Sequence, residues 1–157
     1  MPSTLDQFNA LVCKTGVGLG LLSPTQRAMA LLVAAQTLPH GAAMSEREVN
    51  AMLKDCLGGP ASFLDTDHVE LRRWLVDTGY WRRDGFGRSY ERVPDAELQP
   101  ALLAAIGHVA SFTGRVGLSA WIAERRADAQ AQRAARRAAW VPEISPSGAE
   151  SGARAGG

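Results

Sequence analysis

The chain is short of cysteine, of β-branched residues, of any excess of one charge and of long apolar runs, and each shortage closes a class of function. Its two cysteines, Cys13 and Cys56, lie far apart without paired spacing, so neither a disulfide framework nor a zinc module is expected. A reducing cytoplasm suits them. With a formal net charge of +1, the chain as a whole has no general pull toward nucleic acid or an anionic membrane, and any such affinity has to come from local clustering. No stretch approaches the roughly 20 apolar residues that span a bilayer. The opening residues carry Asp6 and no basic start before an apolar run, which is not the pattern of a signal peptide. A cytoplasmic protein with no membrane attachment is the expectation. Leu and Ala dominate the 46% hydrophobic content, which favours helices.

Catalytic and cofactor signals are equally thin. His40, His68 and His108 sit apart, with no pair at the i and i+4 spacing of a shared metal site. The run Gly16-Val17-Gly18-Leu19-Gly20 has glycines but lacks the following Gly-Lys-Ser/Thr of a phosphate loop. No acid pair or Cys-His arrangement stands out, so no metal, no cofactor and no enzymatic activity are expected.

What is present is a sequence of start and stop signals. A length of 157 residues fits one domain of about 100 to 150 residues with appendages. Residues 1–22 read as a short amphipathic helix (Leu5, Phe8, Leu11, Val12) followed by a glycine-rich loop. Ser23, Pro24 and Gln26 form a capping box with proline in the first turn, opening a helix expected to run to Leu38 and to be apolar on most sides. Ser45 and Glu48 form a second capping box, and Val49, Met52, Leu53 and Cys56 follow at helical spacing.

After a Gly58-Gly59-Pro60 break, Asp65, Thr66 or Asp67 caps a helix near 66–78, closed by Gly79. Two short aromatic and basic segments flank Asp84-Gly85, which predicts a β-hairpin over 80–93. Residues 94–140 should hold further helices, the last rich in Ala and Arg with an apolar stripe that fades after Ile122. Residues 141–157, rich in Pro, Ser and Gly, are expected to be disordered. The order helix, helix, helix, basic hairpin over 23–93 predicts a mainly α, winged-helix-like domain with flanking N- and C-terminal helices.

One stretch carries a resemblance. Glu46, Glu48, Val49, Asn50, Leu53 and Lys54, then Asp67, Leu71, Arg72, Arg73, Leu75, Val76, Asp77 and Gly79, then Arg83, Asp84, Gly85 and Tyr90 follow one family pattern in order. Residues 45–92 thus resemble the bacterial Domain of Unknown Function 2087 family. Members occur alone and attached to helix-turn-helix regulators, so the resemblance implies a regulatory setting, and it supplies no activity or catalytic residues. The loop from Gly58 to Asp65 is longer than the family's usual connection. Tyr80 and Trp81 stand where aliphatic residues are common.

The leading expectation is a small DNA-binding or transcription-associated regulator. Arg72 and Arg73 on the second helix and Arg82, Arg83 and Arg88 on the hairpin are the candidate contacts to double-stranded DNA, since guanidinium pairs with both phosphate and guanine edges. The bland alternative is visible beside it. Between Asp65 and Arg92, six arginines face six acids, and Arg73 could pair with Glu70 and Asp77 along its own helix.

Trp74, Tyr80, Trp81 and Tyr90 could stack on bases, but their positions favour core packing. The runner-up is a protein-interaction or dimerisation module that keeps the winged shape without binding DNA. It would use Trp121 and its neighbours on the C-terminal helices as the contact surface.

Overall fold

The computed structural model describes residues 1–86 and 88–142. These form six α-helices and one three-stranded antiparallel sheet: α1 (Thr4–Val12), α2 (Pro24–Ala35), β1 (Ala43–Ser45), α3 (Glu46–Leu57), α4 (His68–Thr78), β2 (Trp81–Arg83), β3 (Ser89–Arg92), α5 (Pro100–Thr113) and α6 (Leu118–Ala139). Of the tail expected to be disordered, residues 143–157 lie outside the described residues, and Val141 and Pro142 are exposed.

The centre is α2. The Ser23 hydroxyl accepts from Gln26 N–H at 3.2 Å while the Gln26 side chain accepts from Ser23 N–H at 3.3 Å, satisfying two of the helix's free donors. Every residue from Ala28 to Ala35 is buried, because small and apolar side chains all round let α1, α4 and α5 pack against it. The helix stops at Ala35, short of the expected Leu38. Pro39 has no N–H to give the Ala35 carbonyl, and the turn tightens instead, with Thr37 N–H donating to the Ala34 carbonyl at 3.1 Å.

Helix α3 starts on its own reciprocal cap, Ser45 with Glu48, and buries Val49, Leu53 and Cys56. Asp67 is the residue that caps α4, accepting from Glu70 N–H at 2.7 Å. Gly79 ends α4 at φ 97°, a left-handed geometry that side chains with a Cβ resist.

The long connection between α3 and α4 is held from an unexpected place. Val17 N–H donates to the Phe63 carbonyl at 2.9 Å and Asp65 N–H to the Val17 carbonyl at 2.8 Å, a one-rung parallel bridge. The glycine-rich run around Val17 therefore has a structural task.

The hairpin expected over 80–93 is present as β2 and β3, and the structure adds a third strand. Strand order is β1-β3-β2, with Met44 opposite Tyr90 and Arg83 opposite Tyr90 on the other side. Tyr80, Trp81 and Tyr90 are each no more than 2% exposed and belong to the core, whereas Trp74 is half-buried against it. Tyr80 Oη donates to the Ala28 carbonyl at 2.5 Å and Trp81 Nε1 to the Ala35 carbonyl at 3.0 Å, which pins the foot of the hairpin to α2.

After a 3₁₀ turn at Asp95–Glu97, α5 begins at Pro100 and continues through Gly107. Helix α6 buries Leu118, Trp121 and Ile122, and beyond Gln130 its described residues are exposed. Trp121 stacks on Phe8 with centroids 5.5 Å apart, so the expectation that it forms an outer contact surface is corrected: its ring is needed to seat α6 on α1.

Arg126 donates to the Val12 and Lys14 carbonyls at 2.7 and 3.0 Å, and Arg133 to the Cys13 carbonyl at 2.8 Å. Two cations from α6 thus close the carbonyl end of α1, where they also oppose its dipole. Buried apolar residues from Phe8 to Ile122 form one continuous core. Among the described residues, no single helix is long and apolar enough to cross a membrane.

Candidate nucleic-acid interface

Strand alternation sorts the hairpin arginines. Because successive side chains leave a strand on opposite faces, Trp81 and Arg83 share one face and Arg82 takes the other. Trp81 is in the core and Arg83 stands over Tyr90, its registered neighbour, on the face turned toward α4. Arg82 is opposite Glu91 in the register, pairs with that carboxylate, and also bonds Glu97 at 2.8 Å. Glu91 raises the guanidinium pKa above its ordinary value, with Glu97 adding to the effect. A cation already matched by two carboxylates has little charge left to offer an outside anion.

The two α4 arginines are likewise unequal. Arg72 turns inward: it pairs with Glu46 at 3.0 Å, bonds the Asn50 side chain and lies over the Tyr90 ring at 5.7 Å, with its side chain only 16% exposed. Its role is to tie α4 to the start of α3 and to β3. Arg73 points outward, and among the described residues it pairs with neither Glu70 nor Asp77, the helical partners its spacing suggests. Arg88 is exposed at the hairpin tip, where its guanidinium lies over Phe86 at 5.7 Å. Its N–H donates to Asp84 Oδ1 at 2.7 Å, closing the turn and holding the Asp84 carboxyl below the ordinary carboxylate range.

Two hollows adjoin at Arg72. The first, an open depression of ≈ 780 Å³, has Glu46, Arg47, Asn50, Lys54 and Arg88 on its walls. The second, a cleft of ≈ 340 Å³ between α4 and the hairpin, has Arg72, Arg73, Arg83, Asp77 and Tyr90. Sequence reasoning missed Arg47 and Lys54. Both lie on α3, and only the folding of β3 against β1 brings the hairpin tip over that helix.

Cys56 is buried, donating to the Val33 carbonyl at 3.8 Å, and burial pushes its thiol up to about 11. Among the described residues, no group of three His, Cys, Asp or Glu side chains comes together to hold a metal ion.

A family model now matches the same elements. It spans residues 23–92, from the α2 cap to the end of β3, and its description is an uncharacterized protein conserved in bacteria. Residues 23–92 match the DUF2087 family model. The DUF2087 match begins at Ser23, so it takes in α2 and β1 as well as the 45–92 stretch that carries the motif. Comparisons with curated proteins and with solved structures return no match. Arg73, Arg83, Arg88, Arg47 and Lys54 all lie within the matched residues, whereas α1, α5 and α6 flank them.

Proposed function

We propose that the segment matching DUF2087 is a winged-helix unit that binds double-stranded DNA in a regulatory role, through the face bounded by α3, α4 and the hairpin. The element order α2, β1, α3, α4, β2, β3 with strand order β1-β3-β2 supports the winged-helix reading, since it sets a helix pair beside a protruding hairpin. One observation carries the DNA reading. On a chain of net charge +1, the two adjoining hollows gather Arg47, Lys54, Arg72, Arg73, Arg83 and Arg88 against only Glu46 and Asp77. The contacts proposed are to phosphate, which guanidinium pairs with irrespective of base sequence.

The test is fluorescence anisotropy of a labelled mixed-sequence duplex over a salt series. The Arg73→Ala/Arg83→Ala/Arg88→Ala protein should bind more weakly and flatten the slope of log K against log salt by about three, one for each lost phosphate contact. Arg82→Ala should match the unaltered protein. Absence of binding at low salt, or an equal loss from Arg82→Ala, overturns the proposal.

A second reading, a protein-interaction module that does not bind DNA, is favoured by the distal half of α6. That half is exposed and is followed by Trp140 and Val141, 72% and 80% exposed. Light scattering on the full chain and on Trp140→Ala checks it, with a dimer that the substitution dissociates as the supporting result.

A further inference from the structure

We infer that the cleft between α4 and the hairpin is a seat for a single phosphate group, held between Arg73 and Arg83. It shares these two arginines with the proposed duplex face but does not require that face to meet a duplex. Three features of the cleft point there.

Its two walls come from different elements, α4 and β2, and each presents an arginine with no hydrogen bond or ion pair among the described residues. Its back is Tyr90 with the Arg72 guanidinium over the ring, and the charge of Arg72 is already opposed by Glu46 at 3.0 Å. Asp77 lies on the α4 wall but pairs with neither exposed arginine, so the cleft has more positive charge than internal counter-charge.

Like charges around one concavity repel until an anion enters. The choice among anions follows from acceptor count. A carboxylate has two oxygens, which one guanidinium fork can occupy. Guanidiniums arriving from two walls need an anion with oxygens facing both, and phosphate has them. The cleft volume of ≈ 340 Å³ leaves room for the group that the phosphate is attached to. Val69 and Val76 at the margin give that group an apolar edge to rest on. A free phosphate monoester, with three terminal oxygens, meets this count in full; the phosphodiester of a nucleic-acid backbone, with two terminal oxygens and two ester oxygens, is the second source.

The experiment titrates the full chain with methyl phosphate, dimethyl phosphate and acetate, following amide shifts of residues 69–77 and 83–90 by NMR. Saturable binding of either phosphate, weakened about tenfold by Arg73→Ala and by Arg83→Ala and untouched by Arg82→Ala, supports the seat; tenfold is what one lost charge-assisted bond gives. Dimethyl phosphate binding that duplex DNA displaces identifies the backbone as source, and binding of methyl phosphate alone identifies a free ester.

Acetate binding as well as phosphate, no saturation by either phosphate, or an equal loss from Arg82→Ala overturns the inference. Failure of the duplex with retention of methyl phosphate removes the DNA reading and leaves the seat. Duplex binding that depends on Arg88 but not on Arg73 or Arg83, together with no saturable binding of either phosphate, does the reverse. Both arginines are exposed, so their removal spares the fold, and thermal melts of each variant check this.

Discussion

Replacing Trp81 by Phe should cost markedly more stability than replacing Tyr80 by Phe, although both remove one hydrogen bond from the same pair of elements. The difference lies in what remains for the acceptor. The Ala28 carbonyl is inside α2, where Leu32 N–H is its helical partner, so the Tyr80 hydroxyl at 2.5 Å is a second donor. Tyr80→Phe therefore removes only the net value of a bond, about 1 kcal/mol. The Ala35 carbonyl would bond to residue 39, and Pro39 has no N–H. Trp81 Nε1–H at 3.0 Å takes that place. Trp81→Phe leaves a buried carbonyl without its donor, about 1 to 3 kcal/mol, and a void from the smaller ring adds about 1 kcal/mol.

Urea unfolding followed by circular dichroism reads both values from the midpoint shift. A double-mutant cycle with Pro39→Ala sharpens the test, because the restored N–H can serve the Ala35 carbonyl when the indole is gone. The cost of Trp81→Phe should then fall by about 1 kcal/mol in the Pro39→Ala background. Equal costs for the two aromatic substitutions, together with no coupling to Pro39, would refute the argument that a missing helical donor explains the buried indole.

Three further outcomes follow from the same structure. Burial raises the Cys56 thiol from 9.0 to about 11, so the unfolded chain gives up this proton first and stability should fall as pH rises through that window. Tyr80, also raised by burial, adds to the fall at its upper end, and Cys56→Ala should make the decline in urea midpoint shallower. Gly79→Ala should lose about 1 kcal/mol or more in the same assay, since a Cβ meets only Leu102 Cδ1 at 3.9 Å and the cost comes from φ 97°. Arg126→Ala should release the carbonyl end of α1, read as faster amide hydrogen exchange over Phe8–Val12 with little change in α3 or α4.

Much of this architecture was written locally. The reciprocal caps at Ser23 and Ser45, the cap at Asp67 and the left-handed glycine at 79 are interactions between residues a few positions apart, so a reader of the chain can place α2, α3 and α4 within a few residues. The β-hairpin was equally legible from Asp84 and its flanking aromatics. Strand β1 was not. Its three residues are too short for alternation to register, and Ser45 doubles as the α3 cap. The end of α2 went wrong by three residues because the apolar run continues to Leu38 while the carbonyl at 35 has already lost its donor.

The candidate site divides along the same line. Sequence supplied five arginines and marked Arg73 as open to pairing along its own helix, and period-two alternation alone could have separated Arg82 from Arg83. That Glu91 and Glu97 would converge on Arg82 depends on strand register and on a turn beyond the sheet. That Glu46 and Asn50 would draw Arg72 inward depends on the packing of α3 against α4.

By itself the sequence determined which segments are helix and turn, because capping and backbone preference act between near neighbours. Only the tertiary structure decided which cations are spent on internal carboxylates and which, among the described residues, have none around one cleft, because a charge is paired by whatever the fold carries to within a few ångströms of it, however distant along the chain.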